Sequence, residues 1–174
     1  MTTLYEHKNP VNCITATDDQ RMFFTSSRSD GMIHGWDTLD MLRDVTSHSL
    51  FSINSGRIVN SISTLEGSNY FCLAGRDPNE NTSGLVEIYE MARLSQDSSA
   101  RIAGSVYKNV SAPNQRRPSH AAVVQTIAHA DEGEMMNCVD TMLPVTHQHL
   151  LAYSSQRGTL FLHDLRCKKS ALVQ

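Results

Sequence analysis

Ser29-Asp30-Gly31-Met32-Ile33-His34-Gly35-Trp36-Asp37 is the stretch on which the reading of the fold turns. Asp30-Gly31 is a tight hairpin signal between two strands. The run that follows is short, is rich in apolar residues and closes on an aromatic and an acid, as a strand leaving a turn does. The preceding run, Met22-Phe23-Phe24-Thr25-Ser26, forms the other arm. Val11-Asn12-Cys13-Ile14 stands one strand earlier and completes a three-strand meander.

The same order recurs twice. The second unit runs Val59-Asn60-Ser61-Ile62, then Tyr70-Phe71-Cys72-Leu73-Ala74, then Gly84-Leu85-Val86-Glu87-Ile88-Tyr89-Glu90. The third runs Met136-Asn137-Cys138-Val139, then His149-Leu150-Leu151-Ala152-Tyr153, then Gly158-Thr159-Leu160-Phe161-Leu162-His163-Asp164. In each, Gly31, Gly84 or Gly158 is followed five residues later by Trp36, Tyr89 or His163, and then by an acid. In each, an Asn precedes a small residue and a β-branched one. Three matches in register and in one order define a repeat.

The spacing predicts strands at 11–16, 21–26, 32–36, 58–64, 70–74, 85–89, 123–127, 135–142, 150–154 and 159–163. Each is bounded by turn formers and rich in β-branched or aromatic residues. A fourth strand per unit is expected at Ser49–Ile53, at Val123–Ile127 and at Ala171–Val173. No long stretch keeps a helical period, and Met91-Ala92-Arg93-Leu94 offers at most one turn. The expected class is all-β.

Composition narrows the function classes. The 174 residues carry 15 Lys plus Arg against 18 Asp plus Glu, a net charge of −3. That balance speaks against a basic nucleic-acid binder. With 40% hydrophobic and 19% charged residues the chain is too apolar for disorder. No apolar run approaches the roughly 20 residues that span a bilayer. Residues 1–10 have no apolar segment of the secretory kind, so an intracellular chain is expected. Cys13, Cys72, Cys138 and Cys167 lie far apart and form no close ligand pair, so no metal site is expected. Cys13, Cys72 and Cys138 sit in apolar runs and read as small buried hydrophobes. His147 and His149 lack a third ligand nearby and read as a polar strand entry.

The first unit resembles a WD40 repeat. His7 lies 29 residues before Trp36, and Trp36-Asp37 closes the third strand. In that family a His, a Ser or Thr, an Asp and a Trp form a hydrogen-bonded chain within the blade. The resemblance assigns those places to His7, Ser26, Asp30 and Trp36, as an architectural device without chemistry. The second and third units depart from it, with Ser83 or Arg157 at the turn and Tyr89-Glu90 or His163-Asp164 at the close. The implied fold is a partial WD40 β-propeller of about three four-stranded blades from a larger ring. The blades are expected at about 5–53, 54–127 and 128–174, with an irregular insertion at 92–121 that contains Pro113, Arg116, Arg117 and Pro118.

A closer resemblance joins these features. Glu6-His7-Lys8-Asn9-Pro10-Val11-Asn12 opens the first blade, Ser55-Gly56-Arg57-Ile58 leads into a weak one, and the third ends His163-Asp164-Leu165-Arg166. That succession is similar to the start of the C-terminal propeller in regulatory subunits of class III phosphatidylinositol 3-kinase complexes, a family of large protein-kinase-like scaffolds. There the third blade usually closes Trp-Asp-Leu-Arg; here His163 takes the place of the Trp. The resemblance implies a non-catalytic scaffold whose partners are other protein subunits of a lipid-kinase complex in autophagy and endosomal sorting. It implies no cofactor, no nucleic acid, and membrane contact only through the complex, on cytoplasmic faces of endosomal or autophagic membranes. The kinase signatures are absent: no Gly-rich phosphate loop, no His-Arg-Asp and no Asp-Phe-Gly. The alternatives are a WD40 scaffold from an unrelated assembly and an enzyme framed on a propeller. The enzyme needs clustered carboxylates or a nucleophile–base pair, and no such cluster recurs in the three units. Three blades leave two radial faces bare, so the chain is expected to be part of a longer protein.

Other motifs have ordinary explanations. Arg116-Arg117-Pro118-Ser119 reads as a solvated loop before it reads as a kinase substrate. Asn81-Thr82-Ser83 and Asn109-Val110-Ser111 match glycosylation sequons but lack the compartment that would use them. Asp131-Glu132-Gly133-Glu134 reads as an acidic turn, and Lys168-Lys169 is too small a charge for a lipid surface.

Overall fold

The computed structural model describes residues 6–39, 49–65, 67–78, 84–94, 122–129, 136–141 and 150–166. Eleven strands form three antiparallel sheets among them. The first sheet holds β1 (Val11–Ala16), β2 (Met22–Ser27), β3 (Met32–Asp37) and β4 (Phe51–Asn54) in that order. The second holds β5 (Ile58–Thr64), β6 (Tyr70–Arg76), β7 (Gly84–Glu90) and β8 (Val123–His129) in order. The third holds β9 (Met136–Thr141), β10 (Leu150–Ser155) and β11 (Leu160–Asp164). The fourth strands expected near residues 49–53 and 123–127 are present as β4 and β8. The one expected at 171–173 lies outside the described residues, as do His147, His149 and most of the insertion. That insertion opens with a single helical turn, Met91–Leu94, which buries Leu94.

Side-chain parity fixes how the sheets stack. In the second sheet Phe71, Leu73, Leu85 and Tyr89 point one way and join Phe24, Ile33, Phe51 and Ile53 of the first sheet. Cys72, Ala74, Val86 and Ile88 point the other way and join Leu151, Tyr153 and Phe161 of the third. Two cores therefore lie between three face-packed sheets. The sheets meet along their first strands, β1 against β5 and β5 against β9. Sheets converging on their first strands form a fan, which is the partial propeller expected from the repeat, with no closed barrel.

Hydrogen bonds lace the first seam. Cys13 Sγ lies 3.4 Å from the Ile62 carbonyl oxygen, and the Thr64 hydroxyl donates to the Ala16 carbonyl at 2.6 Å. Cys13 is half-buried there and Cys72 is fully buried, where desolvation pushes its thiol pKa well up. The hairpin turn of the first blade uses Gly31 at φ +66°, and its edge abuts the entry of the second. A Cβ on Gly31 would lie 2.5 Å from the Arg57 carbonyl oxygen.

Candidate functional site

The polar chain of the first blade is built on β2 and β3. Their register pairs Phe23 with Trp36, Thr25 with His34 and Ser26 with Ile33. Directly paired residues share a face, so Thr25, His34 and Trp36 stand together and Ser26 stands on the opposite side. Trp36 Nε1 donates to Thr25 Oγ1 at 2.9 Å, and the same oxygen lies 2.7 Å from His7 Nε2. Trp36 is 1% exposed and stacks on Phe23 with ring centroids 6.0 Å apart.

The Thr25 hydroxyl is what joins His7 to Trp36, and Ser26 stands apart from both. Ser26 does something else. Its hydroxyl donates to Asn12 Oδ1 at 3.2 Å, and Asn12 Nδ2 reaches the Val59 and Asn60 carbonyls at 3.2 and 3.0 Å. Ser26 therefore orients the residue that ties the first blade to the second. Asp30 is also placed differently. Its carboxylate accepts from Asn9 Nδ2 at 2.7 Å and from the Met32 amide at 3.0 Å. Among the described residues nothing bonds His7 Nδ1, which is buried. Asp30 acts on His7 through charge: burial lowers the His7 pKa, against the pull of Asp30 and Glu6. Burial of Asp30 itself is overcome by hydrogen bonds from Asn9, the Met32 amide and Ser27 and by the His7 charge, and its carboxyl stays below the usual range.

Sequence reasoning missed His34, Glu6, Ser49 and Ser52. The His34 ring stands edge-on to His7, centroids 4.3 Å apart. Its Nδ1 lies 2.7 Å from Ser52 Oγ and 3.5 Å from Glu6 Oε2. Glu6 also accepts from the Ser49 amide at 3.0 Å and, through its other oxygen, from the Ser49 hydroxyl. The available signal was the period-two spacing of His34 and Trp36 on one strand.

The second blade fills the equivalent space with charge. Glu87 stands three residues after Gly84, as His34 stands three after Gly31, and it is buried. Arg57 Nε and Nη2 donate to Glu87 Oε1 at 3.1 and 3.0 Å, and Nη1 pairs with Asp77. The Tyr89 hydroxyl donates to Glu87 Oε2 at 2.7 Å. Burial and the Glu87 charge push the Tyr89 pKa far up, so it remains a donor. Arg57 is pulled down by burial and pushed up more strongly by Glu87 and Asp77. In the third blade His163 Nε2 meets Gln125 of β8 at 3.1 Å. Apart from His7 Nδ1 and His163 Nδ1, which have no hydrogen-bond partner among the described residues, these polar groups bond within or between blades. Among the described residues no three His, Cys, Asp or Glu side chains group to hold a metal, and no helix is long and apolar enough to cross a membrane.

No known protein-family profile matches the chain. It is similar to VPS15 of Komagataella pastoris, a protein named as a candidate serine/threonine-protein kinase, with 28% identity over 165 residues, or 94% of this chain. The chain spans 10% of the length of that curated relative.

Proposed function

We propose that the chain is a non-catalytic interaction segment of a propeller that seats protein subunits of a class III phosphatidylinositol 3-kinase complex, in autophagy and endosomal sorting. One observation carries the reading: the similarity to VPS15 runs through 94% of the chain, across all three sheets of the fan. The kinase activity in that relative's name needs a phosphate loop and catalytic Asp motifs, and this sequence has none. The buried polar groups support a scaffold as well, since His7, Thr25, Trp36, Arg57 and Glu87 are committed to one another. Such a scaffold is cytoplasmic and reaches endosomal or autophagic membranes through its complex. Affinity purification of the protein containing this chain, from its own cells, tests the reading. Recovery of a phosphatidylinositol 3-kinase catalytic subunit is the expected result. Recovery of a different stable set of proteins identifies the second reading, a WD40 scaffold of an unrelated assembly.

A further inference from the structure

Two imidazoles, a carboxylate and three hydroxyls share one half-buried cluster on the outward face of the first blade. Glu6 and His7 arrive on the strap of residues 6–9 that precedes β1. His34 stands on β3, Thr25 on β2, Ser52 on β4 and Ser49 just ahead of it. Two proton-ordered chains run through them. In one, Ser49 gives its hydroxyl proton to Glu6, its oxygen accepts from Ser52 at 3.1 Å, and Ser52 accepts from His34 Nδ1–H at 2.7 Å. In the other, Trp36 donates to Thr25, whose hydroxyl lies 2.7 Å from His7 Nε2 and donates to it when that nitrogen carries no proton.

Protonation acts differently on the two chains: the His34 Nδ1–H bond to Ser52 survives it, and the Thr25–His7 bond reverses. A second proton on His7 turns Nε2 into a donor, so the Thr25 hydroxyl must turn and accept from His7 and Trp36 together. A second proton on His34 places a cation in a buried space, edge-on to the other ring at 4.3 Å. Burial lowers the His34 pKa to about 4, and the neighbouring His7 adds to that, against Glu6 and Asp30. Burial lowers His7 in the same direction. Among the described residues the titratable groups facing the pair are Glu6 on the strap and Asp30 in the β2–β3 turn; β2 and β4 contribute hydroxyls only.

We propose that this cluster is an acid-release latch: protonation of the His7–His34 pair frees residues 6–8 from the first blade and uncovers Trp36. Asn9 is the hinge, because its partner Asp30 stays ionised at pH values where the histidines charge. The direction follows from linkage. Both rings bind protons less readily in the folded blade than at the ordinary value of 6.5. The latch is therefore complete above that value and weakens as pH falls through it toward about 4. This device does not depend on which proteins the propeller seats, and it acts where the outward face of the first blade is left uncovered.

Trp36 is the only tryptophan in the sequence, so its emission reads the latch directly. Titration of the chain from neutral pH toward about 4 is expected to shift that emission to the red and reduce it, with a midpoint below 6.5. The far-ultraviolet circular dichroism of the sheets is expected to stay constant through the step. The double variant His7→Gln/His34→Phe is expected to show no step. Flat emission in the unaltered chain, a step retained by the double variant, or loss of the sheet signal at the same midpoint overturns the proposal. Should the double variant not fold, histidine ring-proton resonances of the unaltered chain replace it. A histidine midpoint that coincides with the Trp36 step supports the latch, and a step matched by no histidine overturns it.

Discussion

Thr25 collects two buried nitrogens on one hydroxyl, and its loss leaves both without a partner. Thr25→Val, which preserves shape, is expected to cost about 2–3 kcal/mol, the penalty of stranded buried polar groups. Thr25→Ser restores most of it, and Ser26→Ala costs about 1 kcal/mol, since Ser26 only orients Asn12. Denaturant titration followed at Trp36 ranks the three. The sequence named His7 and Trp36 because an opening His and a closing Trp-Asp are distinctive. The resemblance assigned the hydroxyl to Ser26; Thr25 is its neighbour, and only the hairpin register decides which of the two faces the indole. The Arg57–Glu87 pair had no motif at all, since its partners lie 30 residues apart. Removing one member leaves a buried charge: Glu87→Gln or Arg57→Met alone is expected to cost roughly 3 kcal/mol, discounted for the partial exposure of Arg57. The double variant Arg57→Met/Glu87→Met is expected to cost less than the sum, and a double-mutant cycle that sums to zero coupling refutes the pairing.

At the scale of the strand, the repeated asparagines acquire a cause. In β1 the pairing steps from Val11 to Cys13, in β5 from Val59 to Ser61, and in β9 from Cys138 to Met136. Asn12, Asn60 and Asn137 are therefore the extra residue of a β-bulge in all three first strands. A bulge bends and twists the strand where the sheets converge, so the repeat seen in the sequence marks the inner edge of the fan. That much was legible as a pattern, and its meaning needed the register. Strand positions were legible too, because turn formers bracket each apolar run; β6 and β8 extend two residues beyond their expected ends at Ala74 and Ile127 because pairing with β7 continues there. Gly75 belongs to that extension. A Cβ there would sit 2.3 Å from the Ile58 carbonyl oxygen, which is backbone and cannot step aside. Gly75→Ala is expected to lower the melting temperature well beyond Gly158→Ala, where nothing lies within 4 Å and only the φ of +87° is strained. That strain is worth about 1 kcal/mol. Thermal melts of the two variants in parallel decide it.

The three sheets together carry their own control experiment. Ile14 and Ile62 are the same residue at the same repeat position, and Ile62 is 2% exposed where the first blade covers it while Ile14 is 65% exposed. The other end matches: Ile33, Val86 and Leu160 each stand two residues after the turn glycine, at 0%, 0% and 57% exposure. Both end faces of the fan are thus seam surfaces without the blade that a seam requires. At about 25 cal/mol per Å² of apolar area, covering them is a large gain against a typical stability of about 5–15 kcal/mol. The isolated chain is therefore expected to bind a dye that reports exposed apolar surface. The substitutions Ile14→Lys and Leu160→Lys should reduce that binding at little cost to its melting temperature, whereas Ile62→Lys and Val86→Lys should prevent folding. The sign then reverses with context. In a longer protein that supplies flanking blades, Ile14→Lys buries an unpaired ammonium and is expected to cost several kcal/mol, as Ile62→Lys does in the isolated chain. Equal tolerance of Ile14→Lys in both settings would mean that no blade ever seats on β1, and the ring would have to be abandoned for an open arc.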